Sequence, residues 1–195
     1  MFNGLIKNLG KVSKIVPTDE LYEFTIKSPI AVTKKNGDSI AVDGACFTVI
    51  STINNEFSFQ AMPESLNLTI LHDYQPGTLV NLENPLTLSQ FIDGHLVQGH
   101  IDGTGTVKKI SQQGSSSAIQ IEAPSSILSM IALKGSIAIN GVSLTVSGLS
   151  KKYFEVSLIP STLKSTNLGK LKPGMRVNLE IDLISRYIER QIQKS

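Results

Sequence analysis

Two short runs rich in β-branched and apolar residues, SIAV and ACFTV, flank Asp43–Gly44. Side chains alternate faces along a strand, so Cys46 and Thr48 share one face while Phe47 and Val49 share the other. Asp-Gly between such runs predicts a two-residue hairpin, because both central residues of a type I′ turn need positive φ. Similar short strands are expected at Phe57–Ala61, Leu79–Leu82, Ala118–Ile121, Tyr153–Leu158 and Arg176–Ile181, with turns at Pro76–Gly77, Gln113–Gly114 and Pro173–Gly174. Helical periodicity is scarce. Pro63–Leu66 and Pro160–Leu163 each read as one turn opened by proline, and Ser125–Leu133 reads as a short helix ended by Gly135. After Asp182, a suitable N-cap, Leu183, Ile184, Tyr187, Ile188 and Ile192 recur at helical spacing. A terminal helix of this length is marginal alone; it packs either on its own barrel or against copies of itself.

The pattern is written twice. A constant shift of 97 aligns residues 37–85 with 134–182 without a gap and gives 17 identities in 49 positions, including VNLE at Val80–Glu83 and Val177–Glu180. At a shift of 95, GLIKNLGKVSKI (Gly4–Ile15) matches GHIDGTGTVKKI (Gly99–Ile110). So long a period is a duplicated domain rather than a solenoid, whose repeats span roughly 20–50 residues. Many short strands in each half predict an all-β chain with one small closed barrel per repeat. The tail helix has no counterpart in the first copy, where Pro85 stands in place of Asp182.

Composition narrows the function classes. At 41% hydrophobic and 17% charged, the 195 residues can bury a core. A net charge of +2 without a Lys/Arg run gives no footprint for nucleic acid. No stretch is apolar enough to span a bilayer, and MFNGLIKNLGKV lacks the apolar core of a secretory signal. With one cysteine and thus no internal disulfide, a soluble cytoplasmic protein is expected.

Each half places two small polar side chains together just past a tight turn: Cys46 with Thr48, and Ser143 with Thr145, backed by Phe47/Val49 and Leu144/Val146. Either pair reads as a solvated sheet edge or as a pocket wall for a flat polar ligand, and retention in both copies favours the wall. Cys46 reads as a small core residue or as a nucleophile, which needs a lowered pKa or a neighbouring base. His95 and His100 lie in DGHLVQGHIDGTG, whose glycines allow close backbone approach to a ligand. One Cys and three His with no tight cluster argue against a metal site. GHIDGTG lacks the spacing of a phosphate or dinucleotide loop.

MFNGLI, GDSIAVDGACFTV, DGHLVQGHIDGTG, KGSIAINGVSLTV, STLKSTNLG and VNLEIDLISRYIER together resemble the alpha-chain type of riboflavin synthase, in that family's order and over nearly the whole chain. The resemblance implies two tandem homologous six-stranded Greek-key β-barrels plus a C-terminal α-helix: a lumazine-binding barrel over 1–92, a second over 93–182 and a trimerisation helix over 183–195. It implies a homotrimer in which each barrel binds one 6,7-dimethyl-8-(1-D-ribityl)lumazine and the active site forms between the N-barrel of one subunit and the C-barrel of another. There one lumazine gives a four-carbon unit to the other, yielding riboflavin and 5-amino-6-(D-ribitylamino)uracil with no metal or organic cofactor, no nucleic acid and no membrane. On this view the segment is duplicated because two identical molecules are held face to face, and Cys replaces Ser because one donates carbons and the other accepts them.

By the same resemblance, the first barrel's ligand wall comprises Gly4, Leu5, Ile6, Cys46, Phe47, Thr48, Gln60, Ala61, Met62, Pro63, Glu64 and Ser65. The second comprises Gly99, His100, Ile101, Ser143, Leu144, Thr145, Ser157, Leu158, Ile159, Pro160, Ser161 and Thr162, with Lys134 nearby. Cys46 and Ser39 are expected to act at the N-barrel and Ser143, Thr145 and Asp182 at the C-barrel, while His100 and Phe2 also match family site positions. The alternative for Asp182 is a helix cap, and for Lys134 a solvated strand end. Three positions depart from the family pattern: Asn3 for Thr, Asp93 for Gly, and Asn140 for an Asp, which as Asn makes the turn but cannot act as a base. The rival reading is a non-catalytic lumazine- or flavin-binding antenna. Such a protein is expected to lose one barrel's polar set, and here both pairs, His95, His100 and Asp182 remain.

Overall fold

The computed structural model describes residues 1–18 and 21–192, without the side chain of residue 113; residues 193–195, the end of the expected tail helix, lie outside the described residues. β1 (Asn8–Pro17), β2 (Tyr22–Lys27), β3 (Ser39–Val42), β4 (Ala45–Ile53), β5 (Glu56–Ala61) and β6 (Leu79–Glu83) close one antiparallel barrel in the order β1-β2-β5-β4-β3-β6. β7 (Gly103–Gln113), β8 (Ser116–Glu122), β9 (Ser136–Ile139), β10 (Val142–Leu149), β11 (Tyr153–Leu158) and β12 (Arg176–Ile181) close a second with the same order, β7-β8-β11-β10-β9-β12. Closure leaves no open sheet edge in either half. Even the irregularities repeat: register shifts fall at Val12/Lys14 and Val107/Lys109, and at Val49/Ser51 and Val146/Gly148. Bulges of this kind bend long strands around barrel corners.

The cores differ in material. The N-barrel is filled by Phe24, Phe47, Phe57 and Phe59, with Phe47 stacked on Phe59 at 4.2 Å between centroids. In the C-barrel, Ile119, Ile121, Ile137, Ile139 and Val146 do the filling around Phe154. Among the described residues four α-helical pieces decorate the barrels: α1 (Pro63–Leu68), α2 (Ser125–Leu128), α3 (Pro160–Ser165) and α4 (Leu183–Ile192). α1 and α3 open on proline as expected. α2 stops five residues short of the expected Leu133. The chain turns there to bring Ile131 as well as Ile127 and Leu128 into the core, so burial overrides helical continuity.

Both predicted hairpin turns form, with φ of 43° and 82° at Asp43–Gly44 and 46° and 75° at Asn140–Gly141. They meet back to back across an approximate twofold axis between the barrels. A Cβ on Gly44 would lie 2.6 Å from the Gly141 nitrogen, so glycine is required on steric as well as conformational grounds. Around the axis Asn81 Nδ2 donates to the Asn140 carbonyl at 2.8 Å and Asn178 Nδ2 to the Asp43 carbonyl at 2.9 Å. The axis also passes between Phe2 and Val97, which form an antiparallel bridge packed on Ala41 and Ala138.

Candidate functional site

The polar pairs are set by hairpin register. Ser39 lies opposite Thr48 and Ala41 opposite Cys46; Ser136 lies opposite Thr145 and Ala138 opposite Ser143. Phe47, Val49 and Val146 point into the cores, leaving Cys46 and Ser143 half-buried and Thr48 and Thr145 exposed. Leu144 is only partly buried and packs on the rim of the C-barrel core. The face assignment read from alternation therefore holds in both copies.

The segments preceding each barrel cross over. The Gly4 carbonyl accepts from the Ser143 amide at 2.8 Å, and Ile6 packs on the C-barrel core. Reciprocally, the Gly99 carbonyl accepts from the Cys46 amide at 2.9 Å, and Ile101 packs on the N-barrel core. A Cβ on Gly4 would come within 2.6 Å of Ser143 Cβ, and one on Gly99 within 2.5 Å of Cys46 Cβ. This corrects the expected grouping. Gly4, Leu5 and Ile6 belong beside the C-barrel pair, and Gly99, His100 and Ile101 beside the N-barrel pair.

The N-barrel side holds a cleft of about 280 Å³ that gathers Cys46, Phe47, Glu64, Ser65, Gly99, His100 and Ile101, with Ala45, Leu68 and Thr69. Ser39 joins through a side-chain hydrogen bond with Cys46. Burial pushes the Cys46 thiol above its usual pKa, more than the N-terminal ammonium and the Ser39 contact draw it down. The thiol is therefore held neutral, as a polar wall rather than an activated thiolate. Gln60, Met62 and Pro63 are exposed alongside, whereas Ala61 points into the core.

On the C-barrel side, Ser143 Oγ lies 2.7 Å from His95 Nδ1. His95 Nε2 is buried without a partner among the described residues, and burial lowers the imidazole pKa against the opposing charge of Asp182. A neutral imidazole can accept the Ser143 proton at Nδ1. Asp182 also caps α4, its Oδ1 accepting from the Ile184 amide at 3.0 Å. Ser157, Ile159, Pro160 and Ser161 are exposed on the rim and Thr162 is half-buried, while Leu158, like Ala61, is core. Lys134 is exposed with φ of 66°. Phe2 is 1% exposed on the axis and touches the Gly99 side of the N-barrel site.

Of the three departures, Asn3 joins arm to linker, its Oδ1 accepting from the Gly94 amide and its Nδ2 donating to the Phe91 carbonyl. Asp93 is exposed. Asn140 sits in the turn with its Oδ1 on the Asn178 amide at 2.8 Å, a structural position away from Ser143 Oγ's histidine. Sequence reasoning passed over the buried Glu83 and Glu180, although their signal was present: a carboxylate at one place in both copies of VNLE. Among the described residues no group of three or more His, Cys, Asp or Glu is arranged to hold a metal ion.

The model of the lumazine binding domain matches residues 3–85 and again 98–182, one match for each repeat. Over its full length the chain is 38% identical to riboflavin synthase of Mycobacterium bovis, covering all of that protein, and 40% identical to that of Actinobacillus pleuropneumoniae, covering 91% of it. The chain belongs to the riboflavin synthase family. Among solved structures, this riboflavin synthase family fold superposes on LumP bound to 6,7-dimethyl-8-(1'-D-ribityl) lumazine with a TM-score of 0.84 at 26% identity, covering 92% of the chain and 98% of LumP. LumP with riboflavin gives 0.87 at 26% identity, with coverage of 93% and 99%. Fold alone thus does not separate the family's enzymes from LumP; the polar sets of the two sites must do so.

Proposed function

We propose that this protein catalyses the dismutation of two molecules of 6,7-dimethyl-8-(1-D-ribityl)lumazine into riboflavin and 5-amino-6-(D-ribitylamino)uracil. The observation that carries the reading is the integrity of both polar sites: Ser39, Cys46 and Thr48 on one barrel, and Ser143 held by His95, with Thr145, on the other. An antenna needs one ligand site, whereas a reaction between two identical molecules needs two.

One lumazine loses a proton from its 7-methyl group, and the resulting anion needs donors aimed at it. The Ser143–His95 pair is suited to moving that proton, since the imidazole is neutral and hydrogen-bonded to the hydroxyl. The second lumazine lies along Cys46, Ser39 and the Gly99–Ile101 arm, whose task is mainly positioning. The equation balances without water or an oxidant.

Within one chain the barrels meet through the Asp43–Gly44 and Asn140–Gly141 turns, and on this reading the site of one N-barrel faces the site of a C-barrel from another copy. α4 supplies a contact for this. Ile184, Tyr187, Ile188 and Ile192 are between 53% and 65% exposed on one face of the helix, as expected of an apolar stripe covered by other copies in a homotrimer.

The purified protein incubated with the lumazine alone tests the reading. Riboflavin and the diaminouracil are expected in equal amounts. Tight binding with the lumazine unchanged would overturn the enzyme reading in favour of an antenna.

A further inference from the structure

Glu83 and Glu180 are 8% and 2% exposed, in β6 and β12, and no chemistry described so far uses them. Burying a carboxylate costs several kcal/mol unless it is well hydrogen-bonded, and an apolar side chain would serve a barrel better. Yet both repeats carry glutamate there.

The partners explain why. Glu180 accepts the backbone amides of Gln98, Gly99 and His100 at 2.6, 2.9 and 3.1 Å, three consecutive donors on one carboxylate. Glu83 accepts those of Asn3 and Gly4 at 2.8 and 3.1 Å, the same arrangement with the glutamate displaced by 97 residues and the arm by 95. These amides belong to the crossing arms. The arm gripped by Glu180 of the C-barrel lies on Cys46 of the N-barrel, and the arm gripped by Glu83 of the N-barrel lies on Ser143 of the C-barrel. Consecutive amides converging on an anion form a strong, directional clamp.

We propose that Glu180 and Glu83 are positioning residues acting across the inter-barrel axis: each holds the arm that walls the other barrel's site. Glu180 fixes Gly99–Ile101 against Cys46, and Glu83 fixes Gly4–Ile6 against Ser143. The clamp stands on geometry; that the walled clefts take lumazine and riboflavin rests on the function proposed above.

Cys46 is the sole cysteine and half-buried, so its reaction with Ellman's reagent reads the N-barrel site without any need for activity. The rate per thiolate is taken from the pH dependence of labelling, so that loss of the Glu180 charge does not count as access. In the full-length protein, Glu180→Gln is expected to raise that rate, and to raise the riboflavin concentration giving half-protection by about tenfold, the equivalent of one charge-assisted hydrogen bond. Glu83→Gln, whose side-chain hydrogen bonds go to the other arm, is expected to leave both readings at their original values.

Folded Glu180→Gln labelling and being protected like the parent would overturn the proposal, and so would an equal response from Glu83→Gln. Failure of riboflavin to protect the parent protein counts against the proposed function, while the rate in the absence of riboflavin still decides the clamp. Should Glu180→Gln not fold, amide exchange in the unaltered protein decides: strong protection at Gly99 and His100 supports the clamp, and exchange at open-loop rates overturns it.

Discussion

At Lys134 the backbone has φ of 66°, where the first repeat has Gly37 at 92°. Both amides make the same bond, Lys134 to the Val146 carbonyl and Gly37 to the Val49 carbonyl. A non-glycine residue in this left-handed region costs about 1–2 kcal/mol, partly offset by the smaller backbone entropy lysine loses on folding. Lys134→Gly is therefore expected to raise unfolding free energy by roughly 0.5–1 kcal/mol in chemical denaturation while weakening lumazine binding; unchanged binding would mark the lysine as a strand end and nothing more. His95 makes a second case. Burial keeps its pKa below the ordinary 6.5, so the acid limb of kcat is expected to have its midpoint below that value. Ser143→Ala should abolish turnover or cut it by about 10²–10⁴-fold, as loss of an acid–base partner does, and leave the barrels intact by thermal melting. Ser143 stands where the duplication marked a site, whereas His95 lies in DGHLVQGHIDGTG just ahead of the repeated arm. That His95 rather than His100 meets the serine was not legible, because the two histidines flank the same loop and only the crossing of the arms decides which turns inward.

At the scale of elements, the hairpins were legible because turn chemistry is local: two positive φ values call for Asp-Gly or Asn-Gly whatever surrounds them. The end of α2 was not, because the core's demand for Ile131 is a tertiary fact. The tail helix was legible as an amphipathic stripe, yet its anchor was not. Arg186 Nη2 donates to the His100 carbonyl at 2.8 Å and to Asp102 Oδ2 at 2.9 Å, tying α4 to the arm that walls the N-barrel cleft. In the first repeat Lys7 stands in place of Asp102, and among the described residues no helix follows β6. With its polar side anchored, α4 presents its apolar side outward. If the proposed homotrimer forms through this face, Ile188→Glu is expected to shift sedimentation from trimer to monomer without loss of folded signal, and to remove activity by separating the N-barrel of one copy from the C-barrel of the next. An active monomer would overturn the shared-site reading.

Across the whole molecule, the repeat specified that two equivalent barrels exist but left open which arm lies on which barrel. Exchanging the arms across a twofold axis leaves every repeat relation unchanged, so no one-dimensional pattern can distinguish the two arrangements. At the axis itself the symmetry is broken by a buried pair, Asp43 on one side and Asn140 on the other. Asp43 accepts from Tyr74 Oη at 2.6 Å, from the Asn81 amide at 2.7 Å and, across the barrels, from Asn167 Nδ2 at 2.8 Å. Burial outweighs these donors and raises its pKa from 3.8 to about 7, and burial likewise raises Glu180 from 4.5 to about 7. Between those values the folded chain holds protons that the unfolded chain has released. The contribution of these two groups to stability is therefore fully present below about pH 4 and lost as pH rises through about 7. The melting temperature should accordingly be lower at pH 8 than at pH 5. Asp43→Asn removes one of the two titrations and copies the residue of the second repeat: its Oδ1 keeps the Asn81 and Asn167 donors, and its Nδ2 can donate to Tyr74 Oη. The variant is expected to match the parent near pH 5, exceed it by about 1–2 kcal/mol at pH 8, and show a flatter profile of melting temperature against pH. A variant less stable than the parent at pH 8 would mean that the ionised carboxylate, rather than its shape, holds the two barrels together.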